Sequence, residues 1–198
     1  MKIKHPNSLN NRANWLKSPV NSGVFRRYLI DKGSLTRRLQ LQSQHFSVKS
    51  VRLRQAKALQ DEAALLNLKP QQHALWREVL LVCNGTAVVF AHSVLPKQSL
   101  RGEWRGLGRL GNKPLGATLF ANPKVQRTPL TYKKLSCHHK LYKRMMLHSD
   151  VLSGLMTNQP LLNQPLWARR SVFSLNQLSL GHVRILVTEV FLPSMLKL

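Results

Sequence analysis

Leu75-Trp-Arg-Glu-Val-Leu-Leu-Val-Cys-Asn-Gly-Thr-Ala-Val-Val-Phe-Ala-His-Ser-Val-Leu-Pro96 is two β-rich runs joined by Asn84-Gly85. Asn-Gly between apolar runs is the strongest short-range signal for a β-hairpin with a type I′ turn. A two-residue turn sets the register of the strands around it. Cys83 then faces Thr86, Leu81 faces Val88, Val79 faces Phe90 and Arg77 faces His92. Those eight side chains lie on one face of the sheet, and Trp76, Glu78, Leu80 and Val82 take the other.

Outward from this hairpin the chain divides into helices before and strands after. Residues 1–22 are polar and basic without a clear period, which predicts a loose basic arm. From Gly23, Val24, Phe25, Tyr28 and Leu29 recur at helical spacing. Gly33 stops that helix, and Ser34 is placed to cap the next, Leu-Thr-Arg-Arg-Leu-Gln-Leu-Gln from Leu35. Phe46–Val51 alternates as a short strand, and residues 54–68 read as a helix ended by Pro70. Residues 123–165, rich in Lys, His and Leu, read as irregular with helical pieces. Trp167–Phe173 and Arg184–Pro193 form another strand pair. Helices first and antiparallel strands after predict an α+β single domain over residues 23–198, not alternating βαβ units.

The stretch Gly106-Leu-Gly-Arg-Leu-Gly111 spells G-x-G-x-x-G. A dinucleotide site needs a strand before this motif, a helix opening at it and an acid about 20 residues on. Here the preceding residues make a poor strand, Pro114 interrupts a helix start and the next acid is Asp150. The glycines therefore serve another purpose.

Thirty-one Lys and Arg against seven Asp and Glu give a formal charge of +24. Such a balance implies anionic company, whether nucleic acid, anionic lipid or a small anion. No helix-turn-helix, zinc-finger or aromatic RNA-binding pattern accompanies it, so sequence-specific nucleic-acid binding is not expected. Cys137-His-His139 with His148 makes a poor zinc set, because the spacing is wrong and no second cysteine is near. A solvated basic loop is the expectation there. Two cysteines cannot build a disulfide framework, and the basic start has no apolar core of a secretory signal; both point to the cytoplasm.

Two charged residues sit on faces that are otherwise apolar. Arg77 shares its face with Val79, Leu81, Val88 and Phe90, where an unpaired cation is costly and no acid of the hairpin can reach it. It either snorkels out at the strand end or meets an external anion. Glu189 shares a face with Ile185, Val187 and Phe191. It either pairs with Arg169 or Arg170 across the sheet or binds a polar group of a ligand. Glu78 points away from Arg77, toward some surface Lys or Arg.

Five motifs in order resemble those of chorismate–pyruvate lyases. They are Gly33-Ser-Leu-Thr36; Trp76-Arg-Glu-Val-Leu-Leu81, with its Trp one residue displaced; the loop Leu110-Gly-Asn-Lys-Pro-Leu-Gly-Ala-Thr-Leu-Phe120; Trp167-Ala-Arg-Arg-Ser171; and Thr188-Glu-Val-Phe-Leu-Pro193. The arm and most of 123–165 lie outside them, and 123–165 reads as an insertion. The resemblance implies an antiparallel sheet flanked by helices, with the ligand buried under two helical flaps. It implies conversion of chorismate to 4-hydroxybenzoate and pyruvate, the entry step to ubiquinone, by a lyase without metal or cofactor. It also implies roles: backbone N–H groups of Leu35 and Leu115 and the guanidinium of Arg77 for the ligand carboxylate, and Glu189 for the ring hydroxyl. His92 stands where the family commonly has Arg. Opposite Arg77 it would keep a donor near the anion, or simply pack at the strand end.

One rival is a non-catalytic small-anion-sensing domain of the same fold, as attached to transcription regulators; residues 1–22 are short for the winged helix that reading requires. A second is a nucleic-acid or membrane-surface protein, resting on charge alone. The expectation is a monomer whose basic surface also contacts anionic membrane.

Overall fold

The computed structural model describes residues 14–69, 71–153, 155, 164–177 and 181–198. Pro70 and the first thirteen residues of the arm lie outside this set. The elements are α1 (Arg26–Leu29), α2 (Leu35–Gln42), β1 (Phe46–Lys57), α3 (Gln60–Leu66), β2 (His73–Cys83), β3 (Thr86–Pro96), α4 (Leu115–Ala121), β4 (Gln126–Arg127), β5 (Thr131–Leu135), α5 (Lys140–Met146), α6 (Ser149–Ser153), β6 (Leu166–Gln177) and β7 (Gly181–Phe191). The strands form one antiparallel sheet in the order β1-β2-β3-β7-β6-β4, with β5 also on β6. No described helix is long and apolar enough to cross a membrane.

Helices cover both faces. On one, α1 and α2 pack Tyr28, Leu29, Leu35 and Leu39 on Val79, Leu81 and Phe191, and α4 packs Leu115 and Leu119 beside Phe173 and Ile185. On the other, α5 packs Leu141 and Met145 on Leu80, Phe90 and Val190, while Leu66 of α3 joins Trp76 and Leu186.

The β2–β3 turn has positive φ at Asn84 and Gly85, 49° and 77°, as a type I′ turn demands. The expected register holds only for the two pairs next to the turn. Val82 pairs with Ala87, but Leu81 pairs with Val89, so Val88 is an extra residue, a β-bulge. Its backbone is used elsewhere: the Val88 carbonyl accepts from Leu192, and the Ala87 amide donates to Leu155. Beyond the bulge every side chain of β3 changes face. Ser93, not His92, faces Arg77, and His92 faces Glu78.

Three further expectations change. β1 continues to Lys57 and pairs with β2 throughout, so the helix expected over 54–68 shrinks to Gln60–Leu66. Gln, Ala and Lys are good helix formers, but helix propensity is a weak prior and an open sheet edge overrides it. The 123–165 segment, expected to be irregular with helical pieces, also carries β4 and β5, and β5 aligns Thr131–Leu135 along β6. Residues 14–22, part of the expected loose arm, are anchored: Leu16 and Tyr132 exchange backbone hydrogen bonds of 2.7 and 2.9 Å, and Trp15 donates to Asp61.

Candidate active site

The starts of α2 and α4 meet over the middle of the sheet. Ser34 caps α2 by accepting from the Arg37 amide, so the chain enters at Leu35 with that residue's own amide outside the helical ladder. Leu115 opens α4 directly after Pro114. Gly116 sits where the helices meet, and a Cβ there would lie 3.7 Å from the Ser34 and Thr36 hydroxyls, in ordinary van der Waals contact. Beneath them lies a tight cavity of only about 40 Å3.

Leu35, Arg77, Leu115 and Glu189 all line this cavity. Its apolar walls are Val79, Leu81, Leu119, Phe173 and Val187. Arg77 is 3% exposed, and no acid lies within ion-pair distance of it among the described residues. Burial pulls its guanidinium down to about 10, still cationic at neutral pH. Nη2 donates to the carbonyls of Gly111 (2.9 Å) and Lys113 (2.7 Å), which leaves Nε and Nη1 for a ligand. The glycine loop is thereby explained. It runs as short 3-10 turns, buries Leu107 in the core, and has Gly111 at φ 52°, turning its carbonyl-bearing backbone onto Arg77.

Of the two openings left by the sequence, Glu189 takes the pairing across the sheet. Its Oε2 accepts from Arg169 Nε at 2.6 Å, across the β6–β7 pair, and it also lines the cavity. Arg169, fully buried, donates through Nη1 to the carbonyls of Tyr28 (2.7 Å) and Asp31 (2.6 Å). It thus bolts the end of α1 to the sheet and orients Glu189 at once. Arg127 also lines the cavity. Sequence reasoning passed over it, because one Arg in an irregular basic stretch carries no signal of its own.

His92 is not part of this site. The bulge carries it to the opposite face, where it is completely buried. Its Nδ1 is 3.0 Å from Glu78 Oε1. Nε2 lies 3.2 Å from Glu62 Oε1, off the line of its N–H, an ion pair rather than a hydrogen bond. Glu78 is buried too, not facing a surface cation, and accepts from Arg144 at 2.8 Å and lies 3.1 Å from His148 Nε2. The histidines weighed for zinc are separated by their duties: His148 is on Glu78, and His139 caps α5 by accepting from the Leu141 amide.

Comparison with known proteins agrees with this architecture. The family described as chorismate lyase matches residues 9–197. A protein of Methylobacillus flagellatus named "Probable chorismate pyruvate-lyase" is 49% identical over 187 residues, 94% of this chain and 97% of its own length. One of the same name from Nitrosomonas europaea is 47% identical over 185 residues, 93% of this chain and 96% of its own. Among solved structures, the effector domain of PhnF from Mycobacterium smegmatis superposes with a TM-score of 0.51 at 14% identity, covering 82% of this chain and 90% of that one, a likeness of fold. By sequence over nearly its whole length, this chain belongs to the chorismate lyase family.

Proposed function

We propose that this protein is a chorismate pyruvate-lyase that releases 4-hydroxybenzoate and pyruvate. The observation that supports it most is one tight, largely apolar cavity holding an acid-free arginine and a carboxylate with an oxygen to spare. In this reading the ring carboxylate lies against Arg77 Nε and Nη1 and the Leu35 and Leu115 amides. The ring hydroxyl donates to Glu189 Oε1. An arginine fork matches a carboxylate better than a point charge does.

The reaction breaks the C–O bond between ring and enolpyruvyl group. The electron pair leaves with the ether oxygen as the enolate of pyruvate, the proton leaves the hydroxyl-bearing carbon, and the enolate becomes pyruvate on taking up a proton. The ring becomes aromatic, so the chemistry runs downhill. What remains for the protein is to hold the ring in a reactive pose, exclude water and stabilise developing charge. Glu189, at the hydroxyl end, is the nearest base. No step calls for a metal or cofactor. The same proposal places the protein in the cytoplasm as a monomer and its product at the entry to ubiquinone synthesis.

Incubation with chorismate, following 4-hydroxybenzoate and pyruvate together, tests it. Equimolar appearance of both is expected. Tight binding of 4-hydroxybenzoate without turnover would favour the non-catalytic sensing domain instead.

A further inference from the structure

The site as read uses one of chorismate's two carboxylates. The other sits on the three-carbon side chain that leaves, and its ether carbon is next to the hydroxyl-bearing carbon. A ring whose hydroxyl meets Glu189 therefore puts this second carboxylate at the Glu189 end of the cavity, away from Arg77. A cation is already there.

Arg127, on β4, is held by two hydrogen bonds. Nε donates to Ser171 Oγ at 2.7 Å and Nη1 to the Lys32 carbonyl at 2.8 Å. Its guanidinium carbon lies 5.3 Å from the Phe120 ring centre and 5.1 Å from that of Phe173. Ser171 pairs with Val187, two residues from Glu189 on the same face of β7. No carboxylate lies within 4 Å of Arg127 among the described residues, and Nη2 has no hydrogen-bond partner there. Burial lowers its pKa, partly opposed by the charge of Glu189. A fixed, half-buried, acid-free arginine thus faces the place where the substrate carries an anion and the aromatic product does not. Arg127 also lines a second, more open hollow with Lys17 and Lys32, so it stands between the closed cavity and an outward path.

We propose that Arg127 binds the carboxylate of the enolpyruvyl side chain, so that it distinguishes substrate from aromatic product and hands pyruvate to the outer hollow. This rests on the reading of Arg77 and Glu189 given above.

The test measures chorismate KM and kcat, and separately the Kd of 4-hydroxybenzoate, for Arg127→Leu and Arg127→Lys, with Arg77→Ala beside them. Truncating one partner of a desolvated charge pair predicts a fall in kcat/KM for chorismate of about 30-fold or more in Arg127→Leu. Its 4-hydroxybenzoate Kd should stay within about threefold of the parent, because that ligand lacks the side-chain anion. Arg127→Lys, which keeps the charge but not the fork, should fall between them and covers the case in which the leucine variant does not fold. Equal losses for chorismate and 4-hydroxybenzoate, or unchanged chorismate turnover, overturn the proposal. Undiminished 4-hydroxybenzoate binding in Arg77→Ala would instead overturn the underlying placement of the ring, whatever Arg127 does.

Discussion

Arg77 and Glu189 differ in what they leave behind when removed. Arg77→Ala deletes a buried cation with no acid partner, so the fold should survive while 4-hydroxybenzoate affinity falls by roughly 2–5 kcal/mol, measurable by calorimetry. Glu189→Ala strands Arg169 in the core and should cost about 3–5 kcal/mol of stability in urea titration. Glu189→Gln keeps an oxygen for Arg169 and for the ring hydroxyl and should cost less on both counts. Such consequences were half legible in the sequence. A charged side chain on an apolar face is visible from alternation alone, and so Arg77 and Glu189 stood out. Arg127 did not, because among 31 cations none is singled out without its neighbours.

The buried carboxylates and histidine on the back of the sheet give a residue-scale pH prediction. Burial raises the Glu78 pKa, but His92 and Arg144 outweigh it and bring it from 4.5 to about 2. Its share of stability is complete above pH 4.5 and is lost as pH falls toward 2. For His92, burial lowers the pKa, but Glu62 and Glu78 outweigh it and raise it from 6.5 to about 9. That share is complete below pH 6.5 and is lost as pH rises through 9. Melting temperature should therefore peak between about pH 4.5 and 6.5. His92→Arg, which keeps a cation that does not titrate there, should remove the alkaline decline. A decline of unchanged slope in that variant would assign it to other groups.

Among elements, the β2–β3 hairpin shows where local chemistry ends. Asn84-Gly85 dictates the turn because only certain backbones tolerate two positive φ values. Nothing local dictates the bulge at Val88. Its carbonyl is claimed by Leu192, and Ala87 is claimed through its amide by Leu155 and through its carbonyl by the Ser194 hydroxyl. Those partners lie far along the chain, so a register counted from the turn alone puts His92 beside Arg77 when it belongs beside Glu78. The strand pair ending at Phe191 was legible because long β-branched runs repeat their signal, whereas Arg54–Lys57 of β1 depends on the edge that β2 offers. The α2 cap is a local device and is open to a local test. Ser34→Ala should cost about 0.5–2 kcal/mol in thermal or urea unfolding. Because Ser34 also lines the cavity, its 4-hydroxybenzoate affinity should fall as well.

At the scale of the molecule, the +24 charge is not consumed by the site, which uses only a few cations. The remainder should bind anionic vesicles in a salt-sensitive way, since each basic residue near such a surface contributes about 1 kcal/mol and physiological salt screens beyond roughly 8 Å. Sedimentation with vesicles of graded anionic lipid content checks this. Equal binding to neutral vesicles would refute an electrostatic origin. The fold itself decides less than the charge or the site does. The same architecture serves as an effector domain in PhnF, so activity lives in which side chains face the cavity.

Arg77 has one further consequence. The guanidinium proposed to receive the ligand's anion is also the one that grips the carbonyls of Gly111 and Lys113. Occupancy and the ordering of that loop are then two faces of one equilibrium, each strengthening the other by the same free energy. The amides of residues 106–113 should exchange with deuterated solvent more slowly when 4-hydroxybenzoate is bound.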